Sequence, residues 1–139
     1  MQETKIIVAG SRSFSDYKLM SITLRTIFKR YKNIKIISGH ARGADKLGEV
    51  YAWKHKIPLQ IFPADWNKYG YRAGAIRNEK MASVGNVLVA FWDGISKGTL
   101  DMITVALEYE LMVYIIDYRN NRVYIGEEAN DIFGEIIPF

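Results

Sequence analysis

The sequence has no cysteine, only three prolines and only two histidines in 139 residues. The absence of cysteine excludes a disulfide framework, a thiol nucleophile and thiolate metal sites. His40 and His55 stand alone, without further His, Asp or Glu at ligand spacing, so neither a metal site nor a cofactor is expected. No apolar run approaches the roughly 20 residues that a bilayer span requires. The short run after Lys5 is strand-like rather than the core of a signal peptide. A cytoplasmic protein without membrane association is the expectation. Repeats, low-complexity tracts and Pro, Gly or Ser-rich linkers are also lacking, which points to one domain over 1–139.

What is present suits a globular core, with 49% hydrophobic and 24% charged residues. The formal charge of +4 favours anionic partners without naming nucleic acid. Short runs, apolar on both faces, at 5–9, 34–38, 59–62, 87–92 and 112–116 read as strands. Between them lie helical stripes: Met20, Leu24, Ile27, Phe28 and Tyr31; then Leu47, Val50 and Tyr51 within 44–55; then 75–83; then Met102, Ile103, Ala106 and Leu107. Alternation of this kind predicts an α/β three-layer sandwich around a mostly parallel, five-stranded, Rossmann-like sheet. Residues 118–139 form a C-terminal extension whose packing stays open, with 122–125 readable as an edge strand and 127–133 as a short helix or a closing tail.

Three strand ends run into glycine-containing turns: Gly10-Ser11-Arg12, Gly39 to Asp45, and Asp93-Gly94 through Gly98-Thr99. In a doubly wound sheet the ligand sits beyond such ends, where freed backbone amides and helix starts hold anions. The first turn lacks the full dinucleotide-binding glycine pattern. Lys97-Gly98-Thr99 has the Walker order reversed, and no serine sits in a nucleophile elbow. Arg12, Arg42, Arg72 and Arg77 fall in or beside the turns, where a guanidinium forks onto phosphate. Arg77 also reads as a surface residue paired with Glu79, and Asp45 as a helix cap. In the long stretch 63–74, Trp66, Tyr69 and Tyr71 can stack on a base that Asp65 and Asn67 read, or pack as a lid. Asp93, at a strand end, is the carboxylate expected nearest the ligand.

The spaced motifs Gly10-Ser11-Arg12 with Phe14, Gly39-His40-Ala41-Arg42-Gly43-Ala44-Asp45, Ala64-Asp65-Trp66, Arg77-Asn78 with Met81, and Ala90 to Gly94 with Gly98-Thr99 resemble the YspA-like group of the SLOG superfamily. This superfamily is Rossmann-like and includes DprA and the LOG phosphoribohydrolases. The resemblance implies a nucleotide or nucleotide-derived ligand held among Gly10, Ser11, Arg12, Gly39, Arg42, Gly43, Asp45, Asp65, Trp66, Arg77, Asn78, Asp93, Gly94, Gly98 and Thr99. In the LOG enzymes an arginine and a glutamate after the Gly-Thr turn support N-glycosidic cleavage. Arg77 corresponds to the arginine, but Met102 stands at the glutamate's place with Asp101 beside it. Binding or sensing therefore ranks first and nucleoside-monophosphate hydrolysis second, with Arg77, Asp93 and Asp101 as its catalytic candidates. The resemblance and the apolar tail suggest a homodimer or higher oligomer. The basic run Lys29, Arg30, Lys32 and Lys35 suggests nucleic-acid binding that is weak and salt-sensitive.

Overall fold

The computed structural model describes residues 2–126; the sequence readings at 127–133 and at the apolar C-terminus lie outside the described residues. The chain runs β1 (Thr4–Gly10), α1 (Tyr17–Phe28), β2 (Ile34–Ser38), α2 (Ala44–Lys54), β3 (Leu59–Ile61), α3 (Trp66–Tyr69), a single 3-10 turn, α4 (Ala73–Val84), β4 (Val87–Trp92), α5 (Lys97–Glu108), β5 (Met112–Asp117) and β6 (Arg122–Ile125). The strands form one six-stranded sheet in the order β3-β2-β1-β4-β5-β6.

Strand alternation divides the core between the two faces. Ile6, Val8, Ile36, Val89 and Phe91 pack against α1 and α2, beside Met20, Leu24 and Tyr51. Ile7, Ile37, Leu88 and Ala90 pack against α4 and α5, beside Met81, Met102 and Ile103. Every residue of β4 is buried, as expected of a central parallel strand covered on both faces. The chain steps from β1 outward to β2 and β3, then returns to place β4 on the other side of β1. That reversal puts the crevice of a doubly wound sheet beside the end of β1.

The expected five-stranded sheet is corrected by β6, which lies antiparallel to β5 with Tyr114 opposite Ile125 and Asp117 opposite Arg122. A connection of a few residues cannot contain a crossover, so the chain returns as a hairpin. Asp117 holds the turn by accepting from the Asn120 amide at 3.2 Å and its side-chain nitrogen at 2.8 Å. Val50 is a second correction, since it is 38% exposed rather than inward-facing. α2 approaches the sheet through Ala44 and Gly48 instead, and a side chain at Gly48 would meet Val8 Cγ1 at 2.7 Å. The supposed loop at 63–74 holds α3 and the start of α4. Asp65 initiates α3 by accepting from the Lys68 amide at 3.1 Å.

Candidate functional site

The turns after β1, β2 and β4 are tied together at Ser11, which is only 1% exposed. Its amide donates to the Phe91 carbonyl at 2.9 Å, and its carbonyl accepts from Phe14 at 3.1 Å and Ala44 at 3.3 Å. Its hydroxyl accepts from the Asp93 amide at 3.1 Å. Gly43, at φ +78°, lies against the Ser11 and Arg12 carbonyls, where a side chain would have no room. Gly10 similarly backs onto the Phe91 carbonyl and the Ala44 methyl. The strand ends thus converge, and Ser11 is the knot.

Beside this knot opens a cavity of about 610 Å³. Arg12 enters it from the end of β1, and Gly39 to Arg42 form the wall after β2. Pro63, Ala64 and Trp66 close the side after β3, and Arg77 reaches in from α4. Arg12 and Arg42 are exposed, and neither forms an ion pair among the described residues. Arg77 is positioned by the fold: Nη1 donates to the Gly39 carbonyl at 3.0 Å and Nε to Asn78 Oδ1 at 3.3 Å. A side chain on Gly39 would strike Arg77 Cδ and Asp45 Oδ2 at 2.8 and 2.9 Å, so this glycine makes room for the pair. Burial lowers the Arg77 pKa, Asp45 opposes that shift and Arg12 adds to it. The guanidinium stays charged in a site where each nearby cation raises the attraction for an anion.

Asp45 is 4% exposed and serves the site from beneath. The N-cap of α2 is Gly43, without a side-chain cap, so the expected capping role is corrected. Asp45 instead reaches back to accept from the Ala41 amide at 3.2 Å. Burial pushes its pKa up to about 6, against the Ala41 amide and Arg77, which favour the ionised form. Because the folded pKa lies above the ordinary 3.8, the neutral acid favours the fold below that value, and the benefit fades as pH rises through about 6. Of the ~3 kcal/mol that such a shift represents, about 1 kcal/mol disappears between pH 5 and 7. Urea unfolding should therefore show stability falling over that window, with a flatter profile in Asp45→Asn. An identical slope in the variant would assign the pH dependence to another group.

Asp93 does not line this cavity. Burial raises its pKa, but amides of Ile95 and Ser96 at 3.0 and 2.7 Å and the Ser96 hydroxyl at 2.8 Å bring it below the ordinary carboxylate range. Both carboxylate oxygens are engaged in shaping the β4–α5 turn. Gly94, Gly98 and Thr99 also stand outside the lining, with Gly94 near Asp117 and Thr99 buried. The β4–α5 region is coupled to the cavity through Asn78, whose amide nitrogen donates to Asp101 Oδ2 at 2.9 Å and, at 3.4 Å, to the Gly98 carbonyl.

Among the residues that sequence reasoning left aside, His40 lines the cavity at φ +64°, an uncommon backbone state for a non-glycine residue. Its Nδ1 lies 2.9 Å from Glu49 Oε2, which also accepts from the Ser38 hydroxyl at 2.7 Å. A carboxylate only accepts, so Nδ1 carries the proton and Nε2 faces Lys46 Nζ at 2.9 Å. The nine-residue separation between His40 and Glu49 follows neither helical nor strand periodicity, so no pattern announced it. Trp66 is half-exposed at the cavity wall, whereas Asp65 belongs to a neighbouring, smaller cavity.

Residues 4–69 match the YspA, cpYpsA-related SLOG family. Gene 61 protein of Mycobacterium phage D29 is 30% identical over 102 residues, covering 68% of this chain and 82% of the phage protein. The chain belongs to the YspA, cpYpsA-related SLOG family. The family match spans the first two strand-end turns and the Asp65-Trp66 pair; Arg77 and the β4–α5 turn lie beyond it. The fold of this SLOG chain is also similar to that of DNA processing protein A from Helicobacter pylori, studied for its single-stranded DNA binding mode. That likeness has a TM-score of 0.64 at 18% identity and covers 94% of this chain and 71% of the other. Among the described residues of the SLOG chain, no helix is long and apolar enough to cross a membrane.

Proposed function

We propose that this protein binds or senses a nucleotide or nucleotide-derived ligand, with its phosphate held by Arg12, Arg42 and Arg77. The observation carrying this reading is that, among the described residues, three guanidiniums and no carboxylate line one cavity. Arg77 supplies a fixed, partly desolvated contact, while Arg12 and Arg42 have no ion-pair partner among the described residues. Trp66 offers an aromatic face at the same mouth. Calorimetric titration with AMP should give saturable binding that inorganic phosphate competes away. No heat and no competition with either compound at millimolar concentration would reject the proposal.

Hydrolysis of a nucleoside monophosphate is the second reading, favoured by the chain of contacts from Arg77 through Asn78 to Asp101. It ranks lower because Met102, which is buried, occupies the place where the resemblance calls for a glutamate. Incubation with AMP should release no adenine. Release of adenine and ribose 5-phosphate, abolished in Asp101→Asn or Asp93→Asn, would reverse the ranking. A single-stranded nucleic acid, as the relative from Helicobacter pylori binds, presents phosphates to the same arginines and should associate weakly and lose affinity with added salt. A homodimer in the cytoplasm completes the proposal, and light scattering reading only monomer would remove the dimer.

A further inference from the structure

Arg77 and Pro63 line two cavities, the large one and a smaller neighbour of about 180 Å³. The neighbour mixes apolar walls from Ile61, Phe62, Ala73 and Ile76 with polar groups from Asp65, Tyr69, Arg77 and Lys80. A ligand whose phosphate lies against Arg77 therefore has the smaller space as its immediate neighbour. Such a mixed lining can cover a flat ring and also hydrogen-bond its edge.

Asp65 divides its two oxygens. Oδ1 accepts the Lys68 amide at 3.1 Å and starts α3, whereas Oδ2 has no hydrogen-bond partner among the described residues. An ionised carboxylate has no proton to give, so opposite a base's exocyclic group it accepts from an amine and is repelled by a carbonyl oxygen. Lys80, which also lines this cavity, supplies the complementary donor for a ring acceptor.

We propose that this smaller cavity is a nucleobase pocket that selects bases carrying an exocyclic amine, with Asp65 as the specificity-determining residue. The proposal rests on the phosphate-binding reading of the larger cavity. Cytosine and adenine place an amine where uracil and hypoxanthine carry a carbonyl oxygen, with almost no change in shape. The pairs CMP with UMP and AMP with IMP thus hold size and charge fixed while the exocyclic group changes from donor to acceptor and the adjacent ring nitrogen from acceptor to donor.

The variant that tests it leaves the helix start intact. Asparagine is as good an N-cap as aspartate, so Asp65→Asn keeps an oxygen for the Lys68 amide and replaces the free acceptor with an NH2 donor. Calorimetry on the wild-type protein should favour CMP over UMP and AMP over IMP by on the order of tenfold. In Asp65→Asn both preferences should vanish or invert while the thermal midpoint stays close to wild type. Equal affinities within both wild-type pairs, with binding still lost on removal of Arg77, would overturn the base pocket and leave the phosphate site standing. A wild-type preference that survives unchanged in Asp65→Asn would also overturn it. No binding of any of the four nucleotides would remove the phosphate site and the base pocket together.

Discussion

Arg77→Ala is expected to weaken AMP binding by at least about thirtyfold, ~2 kcal/mol, the lower range for truncating one partner of a desolvated charged contact. Among the described residues of the cavity, the substitution removes the guanidinium anchored at two points, on the Gly39 carbonyl and Asn78 Oδ1. It also strips Asp45 of the cation that favours its ionised form, so the buried carboxyl should titrate still higher. Calorimetry measures the affinity, and urea unfolding at pH 5, where Asp45 is mostly neutral, separates binding loss from instability. Arg77→Lys should recover little, because an ammonium cannot hold the Gly39 carbonyl and Asn78 while also forking onto phosphate. Wild-type affinity in a folded Arg77→Ala protein would move the phosphate site elsewhere.

Gly43→Ala carries the largest expected loss of stability. At φ +78° and ψ −127° the backbone sits where side chains are strained. The added methyl would also point at the Ser11 and Arg12 carbonyls, which are backbone and cannot swing aside. Strain in such a region costs about 1–3 kcal/mol alone, and with the steric clash the loss should exceed ~3 kcal/mol, lowering the thermal midpoint by roughly 10 °C. Gly98→Ala is the control. Among the described residues, no heavy atom outside its own helix surroundings lies within 4 Å of the added methyl, and the residue is helical. Its unfolded chain loses freedom at no native cost, so a gain of about 0.5 kcal/mol is expected by calorimetry or urea unfolding. Equal destabilisation by both substitutions would argue against the packed Ser11–Gly43 contact.

The contrast explains what the sequence disclosed. Buried parallel strands are continuous apolar runs, so β1, β2, β4 and β5 were legible, and glycine turns at their ends located the crevice. The antiparallel direction of β6 was not, because 122–125 carries a strand signal without one for its pairing partner. Residue type alone suggests phosphate affinity, and Arg12, Arg42 and Arg77 beside the turns do line the cavity, whereas Arg72, singled out on the same ground, is exposed and stands outside the lining. Residue type could not distinguish Gly39 and Arg77, which meet in the cavity, from Gly94 and Thr99, which stand outside it. Nor could it show that Ser11 and Asp93 spend their polar atoms on the scaffold. Asp45 illustrates the limit: a carboxylate in a helix's first turn normally faces water, and only the close packing of α2 on β1 reveals it as a buried acid.

Arg77 is clamped, whereas Arg12 and Arg42 extend from turns without ion-pair partners among the described residues. On the proposed reading this divides the work in time. The outer pair governs how fast an anion is captured, through a salt-sensitive field that acts before contact. Arg77 governs how long it stays, because its donors are already aligned when the anion arrives.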